Sequence, residues 1–297
     1  MTGTAHRMPP PSVAARAGDW LLYAVAFIVG LVVGSFLNVC IHRLPREESV
    51  VWPGSRCPRC TAPIAWYDNL PLLSWIWLRA HCRSCGAPIS ARYPLVEAAT
   101  GFLAVLSLVR FGPTPWAVVA FAFAAALLLI SFVDLDHLII PDAVSLPGIL
   151  AGLAVSALVP GGVGLWDSFA GVCLGGGLLW MVAAAYERST GVEGLGLGDA
   201  KLLAMVGAFL GWQAIPAVLV VASVAGTLAG LAVLFSRHGR GAARRVRRML
   251  GTAAVAVHWR RAARRTAIPF GPFLALGAAV ALFTPGLALP WTWVPHG

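Results

Sequence analysis

Long uncharged apolar segments dominate the sequence and limit what the chain can fold into. Six of them contain no acidic or basic residue: 20–41, 111–133, 143–166, 168–186, 202–236 and 266–295. A helix of about 20 apolar residues crosses a bilayer, and most of these segments reach that length. The chain is 59% hydrophobic and 11% charged, whereas soluble domains carry roughly a quarter charged residues. The sequence therefore predicts a membrane protein.

The number of transmembrane helices follows from the same segments. The segment 202–236 is too long for one crossing and contains GWQAIP at 211–216, a typical turn between two helices. A further span is predicted at 93–109. The expected fold is an all-α polytopic membrane protein of about eight transmembrane helices.

The basic residues predict the orientation. Lys and Arg collect in cytoplasmic loops, and of the 22 in this chain seven lie in 42–92 and ten in 237–265. Both segments are therefore expected to face the cytoplasm, and with a periplasmic N-terminus the loops 134–142 and 187–201 face the same side. The net charge of +10 fits this bias and contact with anionic membrane lipid, so nucleic acid is not expected as a partner.

Four cysteines form two CxxC pairs, Cys57 with Cys60 and Cys82 with Cys85, with 21 residues between the pairs. Zinc is bound tetrahedrally, and two CxxC turns at about this spacing are typical of a four-cysteine site. Disulfides are disfavoured because a segment facing the cytoplasm is in a reducing compartment. We expect a small cytoplasmic insertion with structural zinc, since four thiolates leave no open position for catalysis. His81 is an alternative ligand.

Acidic residues are few and cluster at two places. Asp134, Asp136 and Asp142 lie together in FVDLDHLIIPD, and Asp199 follows a glycine-rich stretch. Ionisable residues at membrane depth are rare and usually functional. Asp134 and Asp199 are predicted to reach the same face from separate helices, so one carboxylate can activate a water while the other donates a proton, as in aspartic proteases. Asp136 and Asp142 fit equally well as solvated carboxylates, with Asp142 as a helix cap.

The glycines before Asp199 match neither of two phosphate-binding patterns. A dinucleotide fingerprint GxGxxG needs glycine at position 199, and GLGLGDAK (194–201) does not match GxxxxGK[ST]. What remains is Gly-x-Gly-Asp, in which small residues let another backbone approach the carboxylate. We predict that Gly196, Gly198 and Lys201 shape the site around Asp199 and that the glycines leave room for an extended peptide.

Several motifs occur in order along almost the whole chain: GSFLNVCIHRLP (34–45), the CxxC pairs, NLPLLSW (69–75), RYPLVE (92–97), DLDHLIIPD (134–142), GLGLGDAKLLAMVGA (194–208) and IPFGP (268–272). With these motifs the chain resembles the bacterial type IV prepilin peptidases, bifunctional leader peptidase/N-methyltransferases that belong with the GxGD aspartyl proteases. Two features depart from the family's pattern. Arg79-Ala80-His81 stands where members often have glycines, and the arginine-rich stretch 237–265 is longer than usual.

The resemblance implies that Asp134 and Asp199 are the catalytic pair and that the substrates are precursors of type IV pilins or type II secretion pseudopilins. Their short basic leader is cut on the cytoplasmic side of the bacterial inner membrane, ahead of an apolar helix. Family members then methylate the new N-terminal amine with S-adenosylmethionine, an activity tied to the cysteine segment. Because this chain keeps both CxxC pairs, methyl transfer is expected here too, although the residues that bind the methyl donor stay unknown.

The expected organisation has three parts: the N-terminus with the first transmembrane helix (1–41), a cytoplasmic zinc-binding segment (42–92) and a seven-helix membrane peptidase region (93–297). Alternative functions stay open. The nearest is a peptidase without methyltransferase activity. A different class is an ion- or proton-coupled transporter that uses the membrane aspartates, although the sequence lacks the internal repeats typical of transporters. A third is a non-catalytic assembly factor with a zinc-bearing docking surface.

Overall fold

The computed structural model describes residues 19–190, 196–237 and 269–284, which form helices joined by turns and irregular segments and contain no β-strand. The α-helices in chain order are α1 (Asp19–Arg43), α2 (Leu73–Trp77), α3 (Arg92–Phe111), α4 (Pro115–His137), α5 (Asp142–Leu158), α6 (Leu165–Thr190), α7 (Leu197–Leu210), α8 (Ala214–Arg237) and α9 (Gly271–Phe283). Short 3₁₀ turns occupy Leu44–Arg46 and Trp66–Asn69. Gly194 and the predicted arginine-rich loop beyond Arg237 lie outside the described residues.

Five of these helices are long and apolar enough to cross a membrane: Trp20–Arg46, Arg92–Phe111, Pro115–His137, Leu165–Ser189 and Ala214–Val233. The multi-pass character is confirmed, but the expected count of eight spans is not. The helices α5, α7 and α9 have 17, 14 and 13 residues, and at 1.5 Å per residue each is shorter than a hydrocarbon core of about 30 Å. The predicted turn within 202–236 is confirmed, because α7 ends at Leu210 and α8 begins at Ala214.

Contacts divide the chain into two units, Met1–Asn38 with Gly54–Val118 and Val39–Pro53 with Val119–Gly297. In the first unit α1 and α3 pack with their backbones close together. A Cβ built at Gly30 would lie 2.7 Å from the Cα of Gly101, closer than real side chains approach a backbone. The rings of Phe27 and Phe102 meet edge to face beside this contact, with centroids 5.3 Å apart. Small residues at such a contact are typical of helix pairs in membranes.

The second unit is built around α7, which packs against α5, α6, α8 and α9. The side chains of Leu202, Met205 and Val206 are fully buried. The contact with α6 is made by backbone atoms: a Cβ at Gly171 would overlap the carbonyl oxygen of Gly207, and a Cβ at Gly207 would overlap that of Gly171. No side chain fits at either position, so the two helices are held at minimum separation.

The other side of α7 packs against glycines of α5. A Cβ at Gly152 would lie 2.7 Å from the Cβ of Ala208, and one at Gly148 would meet the side chain of Met205. A hydroxyl of α6 adds a hydrogen bond, since Ser168 Oγ donates to the carbonyl oxygen of Ala208 at 2.6 Å. These contacts fix the position of α7, and with it the position of Asp199 in its first turn.

Replacing Gly171 with alanine should destabilise the protein, because the new methyl group displaces α7 from α6. We expect a loss of about 1 to 3 kcal/mol, the usual effect of overpacking, measured as a lower temperature of thermal unfolding in detergent. Gly177 lies on the same helix with open space around it, so Gly177→Ala is the matched control. It should be neutral or slightly stabilising, since alanine favours helix. Equal stability of both variants would contradict this account of the α6–α7 contact.

Candidate active site and metal centre

Asp134 lies in the last turn of α4 and is only 5% exposed. Its Oδ2 accepts a hydrogen bond from the backbone N–H of Gly271 at 2.9 Å. Gly271 is the first residue of α9, and 137 residues separate the two partners in sequence. The N–H groups in the first turn of a helix have no partner within the helix and favour negative charge. The start of α9 is therefore a suitable place for a buried carboxylate.

Gly271 has no space for a side chain. A Cβ at this position would lie 2.6 Å from Oδ2 of Asp134 and 3.2 Å from its Cγ. In the sequence this glycine belongs to the motif IPFGP (268–272), which by itself predicts no role for it. A signal was present, because the glycine is followed by a proline at the start of an apolar segment, where helices often begin. Only the fold shows that the helix starts against Asp134.

Asp199 is the third residue of α7 and is half-buried. Its carboxylate is close enough to that of Asp134 for the two to interact electrostatically. The structure thus brings together the two aspartates that the sequence predicted as a pair, one from the end of α4 and one from the start of α7. Two neighbouring carboxylates can divide the roles of general base and general acid, as in aspartic proteases.

The glycines next to Asp199 differ in their surroundings. A Cβ at Gly198 would lie 3.0 Å from the Cβ of Ile140, so a residue of the segment before α5 already fills that space. Gly196 is exposed and has open space around it. Gly198 therefore has a packing role beside the predicted one of leaving room for a peptide, which stays a prediction.

Lys201 forms an ion pair that the sequence did not predict. Its Nζ donates to both carboxylate oxygens of Asp142, at 2.7 and 2.9 Å. Asp142 begins α5 and Lys201 lies in the first turns of α7, so the pair joins the starts of these helices next to Asp199. Both side chains are partly exposed, at 57% and 35%. Such pairs contribute little stability, and the interaction mainly orients the two helix ends.

The four cysteines of the CxxC pairs form one cluster in the first unit. The sulfurs of Cys57, Cys60, Cys82 and Cys85 all lie within 4.8 Å of one another, with 3.9 Å between Cys57 and Cys85. A zinc ion at about 2.3 Å from each sulfur would place the sulfurs about 3.8 Å apart, so the cluster fits a tetrahedral metal. None of the cysteines forms a disulfide. The alternative ligand His81 is not part of the cluster.

The cluster is built from two copies of one turn. CPRCTAPI (57–64) and CRSCGAPI (82–89) are identical at five of eight positions, a repeat that the sequence analysis missed. In each copy the first cysteine exchanges backbone hydrogen bonds with the residues four and five positions later, at 2.8 to 2.9 Å. The residue after the second cysteine has a positive φ, 58° at Thr61 and 66° at Gly86. The repeat therefore encodes two equivalent turns whose four sulfurs could hold one metal ion.

Backbone groups also prepare the sulfur of Cys57 for metal. The N–H groups of Cys60 and Arg59 donate to the sulfur of Cys57 and lower the pKa of this thiol to about 6. Metals bind the thiolate, so this arrangement favours the form that binds.

Two further features shape the second turn. Arg83 makes a bidentate ion pair with Asp68, with bonds of 2.6 and 2.7 Å, and this pair lowers the pKa of Asp68. Arg79 and Ala80, which stand where the family often has glycines, have φ values of 50° and 58°. This left-handed conformation favours glycine. The departure seen in the sequence therefore lies at a turn that this chain forms without glycine.

Removing one thiolate from either turn should remove the metal. Cys57→Ser and Cys82→Ser each leave three ligands, and we expect bound zinc in the purified protein to fall from about one ion per chain to near zero. Elemental analysis by mass spectrometry measures this. Cys173 is exposed on α6, outside the cluster, so Cys173→Ser should keep its zinc. Full zinc in either cluster variant would contradict a four-cysteine site.

Two family models match the chain. Residues 28–111 match the bacterial peptidase A24 N-terminal domain, and residues 121–231 match the type IV leader peptidase family. The first match contains the four clustered cysteines, and the second contains Asp134 and Asp199. The two matches meet between residues 111 and 121, close to the boundary at Val118 that the contacts place between the units.

Several relatives are similar over most of their length. A protein of Aeromonas hydrophila named prepilin leader peptidase/N-methyltransferase is 37% identical, with 89% of this chain and 91% of the relative covered. A protein of the same name from Burkholderia pseudomallei (strain 1026b) is 37% identical over 95% of both chains. One from Myxococcus xanthus (strain DK1622) is 46% identical over 72% of this chain and 64% of its own. No solved structure matches the chain significantly. The chain therefore belongs to the prepilin leader peptidase/N-methyltransferase family.

Proposed function

We propose that this protein is a membrane aspartic endopeptidase that removes the leader from type IV prepilins and then N-methylates the new N-terminal residue. The observation that carries the peptidase activity is the placement of two carboxylates in one unit: Asp134 lies against the start of α9, and Asp199 lies in the first turn of α7, which packs on α9. The family match supports both activities, because it extends over the aspartates and the clustered cysteines.

The two aspartates divide the work of peptide hydrolysis. Asp134 is the base, because the N–H of Gly271 donates to its carboxylate and such charge-assisted hydrogen bonds stabilise negative charge. It takes a proton from a water whose oxygen attacks the scissile carbonyl carbon, while Asp199 donates a proton to the carbonyl oxygen. The C–N bond of the tetrahedral intermediate then breaks. The proton on Asp134 passes to the leaving amine, and an intermediate hydroxyl returns its proton to Asp199.

Residues around the pair set the shape of the site. The ion pair of Lys201 with Asp142 orients the first turn of α7 and so the carboxylate of Asp199. Gly198 lets Ile140 approach this turn, and exposed Gly196 leaves the entrance open to an extended peptide. The apolar helix that follows the cleavage site of a prepilin lies in the membrane beside these helices.

The cysteine cluster holds a structural zinc ion, with Cys57, Cys60, Cys82 and Cys85 as ligands. The metal fixes two short turns in a segment that is too small to bury a large core. S-adenosylmethionine supplies the methyl group for the second activity. This part of the proposal rests on the family, and we assign no residue of this chain to the methyl donor.

We propose that the protein lies in the bacterial inner membrane with its active site on the cytoplasmic side. The end of α4 and the starts of α5, α7 and α9 meet around Asp134 and Asp199, as alternating membrane helices require. The basic segments 42–92 and 237–265 are expected on that side. The proposed organisation has three parts, 1–41, 42–92 and 93–297, with eight membrane helices in all. Pseudopilins are further substrates. Membrane lipid is a partner, and nucleic acid is not.

Neutralising either aspartate should stop cleavage. In Asp134→Asn and Asp199→Asn the general base or acid is lost, so the cleavage rate should fall by about two to four orders of magnitude. The assay incubates purified protein in detergent with a prepilin and S-adenosylmethionine and measures the intact mass of the product. Asp167→Asn is the control, since Asp167 accepts a hydrogen bond from Trp212 away from the pair. Cleavage at the wild-type rate by either variant would refute the catalytic assignment.

A methyl group at Gly271 should damage the same reaction. In Gly271→Ala the new Cβ collides with the carboxylate of Asp134. A displacement of a catalytic group by about 1 Å reduces the reaction rate by about a hundredfold. Gly226→Ala is the matched control, because a Cβ built at Gly226 lies 3.4 Å from its nearest neighbour, an atom of Phe273 in α9, which is an ordinary contact distance. We expect normal cleavage from the control and unchanged zinc content in both. Normal cleavage by Gly271→Ala would show that the start of α9 does not set the position of Asp134.

A further inference from the structure

Glu97 is a buried carboxylate that leader cleavage does not use. It lies in the second turn of α3, in the first unit, and is 8% exposed. Among the described carboxylates only Asp134 is more deeply buried. Burying a carboxylate in an apolar environment is unfavourable unless hydrogen bonds compensate, and in membrane segments such residues usually have a function.

The partner of Glu97 is a backbone group in the cysteine segment. Its Oε2 accepts the N–H of Leu72 at 2.8 Å, across 25 residues of sequence. Leu72 has φ 60° and ψ −48°, and the N–H of Leu73 donates to the carbonyl oxygen of Pro71. These features define a γ-turn of the positive-φ form, which is rare and strained. A residue in such a conformation persists only when its surroundings enforce it.

Helix α1 holds Glu97 in place through close backbone and side-chain contacts. A Cβ at Gly34 of α1 would lie 2.7 Å from the Cα of Glu97, so the two backbones touch. The side chain of Ser35 is a second hydrogen-bond partner of the carboxylate. One turn earlier on α3, the carbonyl oxygen of Tyr93 accepts a hydrogen bond from the side-chain amide of Asn38 at 3.1 Å. Glu97 thus belongs to a rigid α1–α3 contact.

The turn at Leu72 leads directly to the second metal-binding turn. The helix α2 starts at Leu73, and the indole N–H of Trp75 donates to the carbonyl oxygen of Ile89 at 3.2 Å. Ile89 is the last residue of the repeat that contains Cys82 and Cys85. Two hydrogen bonds and the short chain segments between them therefore connect Glu97 with the second turn of the cysteine cluster.

We infer that Glu97 is a positioning residue for methyl transfer: it clamps the γ-turn at Leu72 and thereby fixes the cysteine segment relative to α1 and α3. The inference rests on the proposed methyltransferase activity and its association with the cysteine segment. Leader cleavage does not depend on the clamp, because Asp134 and Asp199 are held by contacts of the second unit.

The test uses the full-length protein in detergent with a prepilin and S-adenosylmethionine. Glu97→Leu replaces the hydrogen-bond acceptor with an apolar side chain of similar size. It should reduce the methylation rate by about tenfold or more, which is the effect of losing a hydrogen bond to a charged group. Cleavage and zinc content should stay at wild-type values. Glu97→Gln should retain most methylation, because its amide oxygen accepts the same N–H. Hydrogen exchange of the 70–76 backbone should accelerate in Glu97→Leu and not in Glu97→Gln.

A second substitution tests whether the clamp acts through the turn. Glycine adopts φ 60° without strain, so Leu72→Gly should form the turn with less help from Glu97. Methylation by Leu72→Gly should be near that of the wild type, and the Glu97→Leu/Leu72→Gly double variant should recover much of the loss. This recovery is a coupling that a double-mutant cycle measures.

Three results would overturn the inference: wild-type methylation by Glu97→Leu, a parallel loss of cleavage and methylation, or equal damage from leucine and glutamine. Wild-type protein that cleaves without methylating would instead contradict the proposed methyltransferase function. The exchange measurement still decides the clamp in that case, because unchanged exchange at 70–76 in Glu97→Leu would refute it.

Discussion

The backbone contact between α6 and α7 is the constraint on which the rest of the second unit depends. Gly171 and Gly207 leave no space for a side chain, so α7 is held against α6 while α5 covers another of its faces. Lipid tails are as apolar as leucine, and close backbone packing is a main source of attraction between helices in a membrane. A short helix fixed in this way keeps Asp199 at a defined position, and the hydrogen bond of Ser168 and the ion pair of Lys201 add to this effect.

In each unit one of the described carboxylates is deeply buried, Asp134 in the second and Glu97 in the first, and both are satisfied in the same manner. Asp134 accepts the N–H of Gly271 and Glu97 accepts the N–H of Leu72. In each case the donor is a backbone group remote in sequence, at a point where an irregular segment turns into a helix. A buried carboxylate without a partner is strongly unfavourable, so these bonds specify where the donor segments dock. The first serves the proposed peptidase chemistry, and the second serves the proposed positioning of the cysteine segment.

The cysteine segment shows how local sequence and metal ligation work together. Two copies of one eight-residue pattern give two equivalent turns, and their four sulfurs converge on a site that fits zinc. The ion pair of Arg83 with Asp68 and the contact of Trp75 with Ile89 organise the chain around the second turn. Little apolar surface is buried here, so these polar contacts and the proposed metal take the place of a core.

The sequence by itself predicted the membrane character, the family and the clustering of four cysteines, because composition, CxxC spacing and motifs are read directly from the chain. It also predicted Asp134 and Asp199 as a catalytic pair, which stays a prediction. The expected count of eight spans is not confirmed, since an apolar segment does not tell how many of its residues form one helix; among the described helices α5, α7 and α9 are shorter than a bilayer is thick. Tertiary structure alone decided the partners of these residues. Gly271 beside Asp134, Asp142 beside Lys201 and Leu72 beside Glu97 are each at least 25 residues apart, and only helix packing brings such distant donors and acceptors within hydrogen-bonding distance.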